Sequence, residues 1–136
     1  MLRTVLFLGT CAVLMAGVLI GRASGAGGSE DRPKFAGFKL AELEAQRAKS
    51  GEDWLPFFKV STLRTGLYVL PAKGVDNQTP HKEDEIYHIL RGKAVLNVDG
   101  TDHPVEPGAI LYVRAGIPHH FHSITEELEV FVFFAG

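Results

Sequence analysis

The stretch PHKEDEIYHILRG, Pro80 to Gly92, sets a histidine and three acids beside an apolar, strand-like run that ends in glycine. Residues two apart on a strand point to the same side, so Thr79, His81, Glu83, Glu85, Tyr87 and Ile89 can share one face. A second cluster, RAGIPHHFHS from Arg114 to Ser123, does the same for His119, Phe121 and Ser123. All six histidines of the chain lie between residues 81 and 122. If the two faces meet inside a barrel, His81, Glu85 and His119 converge as two imidazoles and a carboxylate. That donor set leaves coordination positions open and suits iron, and would also serve manganese, nickel or zinc. The competing reading of the same charges is a solvated turn.

The segments around this stretch carry the texture of an all-β domain. WLPFFKV, TGLYVL, EIYHIL, KAVLNV, AILYV and LEVFVFF are strand candidates, separated by turns at Pro71 to Gly74, Arg91-Gly92, Asp99-Gly100 and Glu106 to Gly108. Short strands without intervening helical patterns predict a sandwich or barrel. Asp99-Gly100 is a hairpin signal, because both residues tolerate positive φ. Ahead of the strands, Phe38, Leu40 and Leu43 recur at helical spacing and Ser50-Gly51 supplies a stop, predicting one amphipathic helix over residues 38–49.

The amino-terminal part reads as targeting sequence. After Arg3, Thr4 to Gly21 is uncharged and apolar, and small residues at Ala23 to Ala26 follow. Residues 1–25 are therefore expected to be a signal peptide or a membrane anchor, with anchoring by residues 4–21, and the domain to be exported to a periplasmic or extracellular site. Residues 26–36 form a polar linker, and residues 37–136 the folded domain. The single Cys11 lies in the apolar run, so the domain has no disulfide and no cysteine metal site. From residue 26 onward, 12 Lys and Arg face 16 Asp and Glu, and no basic patch with interleaved aromatics occurs. Nucleic acid is not an expected partner.

At these residues the chain resembles the cupins, small jelly-roll barrels recognised by two motifs. Glu85 followed after six residues by Gly92, with His81 four positions before Glu85, is similar to the first motif. Gly108, Gly116, Pro118 and His119 are similar to the second. The similarity runs from about Leu55 to Phe134 and is closest to cupins with a PHxEDExY segment. The resemblance implies a jelly-roll barrel, a divalent transition metal and a small-molecule ligand.

The departures bear on the ligand set. Thr79 stands in place of the first histidine of the His-x-His pair, Arg114 in place of a proline and Ser123 in place of an asparagine. The expected ligands are thus His81, Glu85 and His119, with either Glu83 or a water in the vacant position. Tyr87 and Glu83 are the candidate proton-transfer residues, and Tyr87, Phe121, Phe131 and Phe133 the candidate cavity wall. His120 and His122 have the opposite parity to His119 and face outward, His103 is exposed, and His88 lies on the outer face with Ile86 and Leu90. That outer row is a candidate homodimer face. Two functions compete: a small non-haem metalloenzyme of oxygenase or isomerase type, and a non-catalytic exported module that binds a metal or small molecule.

Overall fold

The computed structural model describes residues 32–136. The expected signal or anchor segment lies outside the described residues, and among these no helix is long and apolar enough to cross a membrane. One helix, α1 (Leu40–Ser50), precedes β1 (Trp54–Val60), β2 (Leu63–Leu70), β3 (Asp84–Val98), β4 (Thr101–Val105), β5 (Ile110–Val113) and β6 (His119–Ala135). The strands are antiparallel in the order β1-β2-β6-β3-β4, with β5 also paired to β3. This is the expected jelly roll.

Alternation along the strands separates two cores. Tyr87, Ile89, Ala94 and Leu96 of β3 meet Phe121, Leu128, Val130, Val132 and Phe134 of β6 inside the barrel. On the other side of the sheet, Leu43 of α1 covers Leu67 and Val69, with Leu55, Phe57, Leu90 and Phe131 around them. Leu43 is the buried residue of α1, and an 11-residue helix is marginal alone. Its burial, at about 1.5–3 kcal/mol for a leucine, is what docks α1 on the sheet. Gly51 ends the helix in the left-handed conformation, its N–H donating to Arg47 O. Phe38 lies just before α1 and packs edge-on against Phe57 and Phe58.

Four expectations need correction. Arg91-Gly92 is not a turn: EIYHIL and KAVLNV are one 15-residue strand, β3. Likewise, the second histidine cluster and LEVFVFF belong to one 17-residue strand, β6. Phe131 and Phe133 do not line the cavity, because Leu128, Val130, Val132 and Phe134 hold the inward parity. Leu90 is not free for a dimer contact, since it packs beneath α1.

The long pair β3/β6 bends where those expectations failed. Its register shifts between Ile89 and Val95, and Gly92 there adopts φ 90°. A side chain at Gly92 would sit 2.7 Å from Leu128 Cα and press on Glu127 O. Only glycine allows the two backbones to approach so closely at this φ. At one end of the ladder Glu85 pairs with Phe134, and at the other Val98 pairs with His119. The bend folds these two ends together, placing His119 Nε2 3.4 Å from Glu85 Oε1.

Candidate metal centre

Glu85 and Tyr87 share the inward face of β3 and are each 1% exposed. His119 enters from the first residue of β6, and His81 from the loop before β3. One donor atom from each of His81, Glu85 and His119 lies within 4.8 Å of the others. His81 Nδ1 is 2.6 Å from Glu85 Oε1. The Tyr87 hydroxyl lies 2.6 Å from Glu85 Oε2, 2.8 Å from His119 Nε2 and 3.1 Å from Gln78 Oε1.

Hydrogen bonding fixes the orientation of these groups. His119 Nδ1 is 2.7 Å from Ile117 O, which only a protonated nitrogen can satisfy, so Nε2 carries the lone pair when the ring is neutral and is the nitrogen that donates to Glu85 when the ring is protonated. Gln78 Nε2 donates to Asp76 Oδ2 at 2.7 Å, which turns Gln78 Oε1 toward Tyr87. The single Tyr87 proton therefore faces three acceptors. His81 Nδ1 donates to Glu85 Oε1, a proton that a bound cation would displace. Lone pairs from Glu85, His119 and Gln78 still outnumber the protons that His81 and Tyr87 bring, and a divalent cation satisfies such a surplus. The donor set fits a transition metal on that ground.

The titration directions have the same cause. Burial raises the Glu85 pKa, but hydrogen bonds from His119 and Tyr87 and the nearby imidazoles outweigh it and leave it below the usual carboxylate value. Burial lowers that of His119, yet Glu85 and the Ile117 carbonyl carry it above the ordinary imidazole value. Tyr87 is pushed up, chiefly by burial and then by the Glu85 charge, so it stays protonated at neutral pH.

Other expected site residues fall elsewhere. Glu83 points away from the three donors and forms a two-pronged pair with Arg64, Nε to Oε1 at 2.8 Å and Nη2 to Oε2 at 2.9 Å. That bond, ahead of the opposing effect of partial burial, holds Glu83 below the usual carboxylate range. Thr79 is exposed, and the neighbouring Gln78 amide occupies the inward side. His103 and His120 are exposed, while His122 pairs with Asp102 at 3.0 Å.

Beside the three donors is a cavity of about 200 Å³ lined by Trp54, Arg64, Tyr68, Gln78, His81, Tyr87, Val132 and Phe134. Arg64 and Tyr68 share a parity on β2, with Gly66 between them. A side chain at Gly66 would collide with the Trp54 ring, so glycine there lets the indole lie over β2 as a wall. The guanidinium carbon of Arg64 sits 3.5 Å above the Phe134 ring. Asp76, 8% exposed, accepts from the Tyr68 hydroxyl, Gln78 N, Gln78 Nε2 and Phe121 N.

Sequence reasoning missed Arg64, Asp76, Gln78, Trp54 and Tyr68. The parity of Arg64, Gly66 and Tyr68 was a usable signal, since an inward arginine must meet a charge or a ligand. The loop carrying Asp76 and Gln78 has no periodicity and offered none.

Comparison with known proteins places the chain. The model of the family described as Cupin domain matches residues 66–135. Uncharacterized protein SCO3923 of Streptomyces coelicolor is 41% identical over 98 residues, covering 72% of this chain and 93% of that protein. Among solved structures, the Schizosaccharomyces pombe Cnp3 cupin domain is 18% identical with a TM-score of 0.55, over 60% of this chain and 62% of that one. The DMSP lyase DddQ from Ruegeria pomeroyi DSS-3 is 21% identical with a TM-score of 0.56, over 65% and 50%. The chain thus spans less than two thirds of either structure, and at these identities the likeness is one of fold. With barrel, motif positions and family match in agreement, the chain belongs to the cupin family.

Proposed function

We propose that this protein is an exported cupin that binds a divalent transition metal (iron, manganese, nickel or zinc) through His81, Glu85 and His119 and acts on a small organic anion in the adjoining cavity. The observation that carries the reading is the surplus of lone pairs converging on one point beneath that cavity. A bound divalent metal supplies a Lewis-acid or redox centre with positions left for a substrate atom. The other groups are assigned by what they touch. Trp54, Tyr68 and Phe134 give apolar walls for a flat ligand body. Arg64 keeps donors beyond the two that Glu83 uses, which favours a carboxylate or enolate. Tyr87, in contact with two of the ligands, is the proton-transfer group; Glu83 acts through its hold on Arg64.

Export rests on the uncharged run from Thr4 to Gly21, as signal or anchor. A second copy is the proposed partner of the uncovered face where Ile86 lies in register with Tyr112 and Phe133, because Ile86 and Tyr112 are large apolar side chains left exposed there and the charges beside Tyr112, Asp84 and Arg114, are of opposite sign.

The test is metal content by mass spectrometry of untagged protein, wild type against His81→Ala and His119→Ala. Near-stoichiometric metal in wild type, lost in both folded variants, is expected. Wild type that takes up none of the four metals would refute the metal reading and leave a polar pocket for an organic ligand. Arg64→Gln should keep the metal and lose the thermal stabilisation that small carboxylates give the wild type.

A further inference from the structure

We propose a second transition-metal site on the outer face of the barrel, formed by His120 and His122 of β6 with Asp102 of β4. The sheet register brings these residues together. Asn97 of β3 pairs with His120 on one side and Asp102 on the other, so the three form a row across adjacent strands. His122 is two residues further along β6, opposite Val95, and stands on the same side of the sheet. That side is opposite to the one on which His119 and Phe121 are buried.

The geometry suits chelation. The His120 and His122 ring centroids are 5.6 Å apart with planes inclined at 42°. A metal about 2.0–2.1 Å from an imidazole nitrogen lies roughly 3.2 Å from that ring's centroid, so two rings at this spacing are within the roughly 6.4 Å that one ion can span between them. His122 Nε2 is 3.0 Å from Asp102 Oδ1, close to the separation of two ligands on one ion. Asn97 Nδ2 donates to Asp102 Oδ1 at 2.6 Å and holds the carboxylate in place. His122 Nδ1 is 3.0 Å from Ser123 Oγ. Ser123 has φ 49°, which breaks the strand alternation and lets its hydroxyl reach the preceding ring. An oxygen partner on Nδ1 leaves Nε2, which faces Asp102, as the nitrogen that would ligate once a metal displaces its proton.

The donor atoms of this set are not yet gathered as those of His81, Glu85 and His119 are. His120 is exposed, so its ring has room to turn about its side-chain bonds toward His122 and Asp102. Two imidazoles and one carboxylate with water completing the shell select zinc, nickel or copper(II) over magnesium or calcium. The site is independent of the inner centre, since the two occupy opposite faces of β6.

The test is a zinc titration by calorimetry of metal-stripped, untagged full chain. Two equivalents are expected for wild type, one for the His120→Ala/His122→Ala double variant and one for His119→Ala. His120 is exposed and His122 half-buried on the outer face, so the double variant leaves the core intact, with folding checked by circular dichroism. A double variant that still binds two equivalents, or a wild type whose single equivalent disappears in His119→Ala, would overturn the outer site. One equivalent in both wild type and His119→Ala, lost in the double variant, would uphold it and remove the inner metal reading instead.

Discussion

Replacing Gly92 with alanine tests whether the bend in β3 builds the metal centre. The residue has φ 90°, where a side chain is strained by about 1–3 kcal/mol. The added methyl would also meet Glu127 O and lie 2.7 Å from Leu128 Cα, both backbone atoms of a paired strand that cannot swing aside. Overpacking of this kind costs about 1–3 kcal/mol more. The combined loss of about 2–6 kcal/mol is a large share of a small domain's stability, and at roughly 4–8 °C per kcal/mol the melting temperature should fall by at least about 8 °C. Gly100→Ala is the internal control. Its φ is 82°, but nothing lies within 4 Å of the added methyl, so it bears the conformational cost alone. Thermal melts followed by circular dichroism should therefore order wild type, Gly100→Ala and Gly92→Ala in falling stability. The folded fraction of Gly92→Ala should also bind metal more weakly, because the bend brings His119 to Glu85. Equal melting temperatures for the two alanine variants would refute the close-approach argument.

Other consequences follow from single residues. Asp76→Ala leaves the buried Phe121 N–H without its acceptor and frees Gln78 and Tyr68. An unsatisfied buried donor costs about 1–3 kcal/mol, so the urea midpoint should drop with an unchanged slope; an unaltered midpoint would mean that water replaces the carboxylate. Glu129 is 1% exposed, and burial, opposed by Arg91 of β3 but aided by Glu44 of α1 and Glu127 of β6, raises its pKa above the usual carboxylate value. A raised acid contributes stability below its unfolded pKa and loses it as pH climbs through the folded value. Glu129→Gln should thus gain in melting temperature over wild type between pH 4 and pH 7, and a constant difference across that range would contradict the assignment. Tyr112, 60% exposed, is the centre of the proposed pairing face. Tyr112→Lys should convert a dimer to a monomer in light scattering, whereas a monomeric wild type would dispose of the pairing.

How much of this was legible in the sequence depends on which physical constraint each residue obeys. Short apolar runs, turn residues and period-two alternation are local, so β1, the Asp99-Gly100 hairpin and the inward parity of Glu85 and Tyr87 respectively could be read directly. The two longest strands were misread because glycine and charge punctuate both turns and bulges. Arg91-Gly92 is written like a turn, yet Arg91 contacts Glu127 and Glu129 across the ladder while Gly92 admits the opposing backbone. Phe131 and Phe133 were assigned inward because aromatics suggest a core, although Leu128, Val130, Val132 and Phe134 alternate as cleanly. Partner choice across the fold was beyond local pattern. Nothing in the spacing says that Arg64 takes Glu83, or that Asp76 reaches Phe121 forty-five residues away.

The exchange of Thr79 for a motif histidine has a structural answer in that loop. Thr79 faces solvent, and the inward side is filled by the Gln78 amide, held from behind by Asp76. An amide oxygen is a neutral acceptor, so it can hold the Tyr87 proton but adds no charge against the cation. Three charged or strongly basic donors would hold a metal less tightly than four, and would leave one more position open to a ligand. The same loop carries Asp76, which ties Gln78, Tyr68 and β6 to one carboxylate. The residue that fills the place of a fourth imidazole is thus also part of the cavity wall. Gln78→His tests the coupling: if the vacancy alone matters, the variant binds metal more tightly in calorimetry and keeps its ligand. If the Gln78–Asp76 bond shapes the cavity, tighter metal binding comes with a weaker response to small carboxylates.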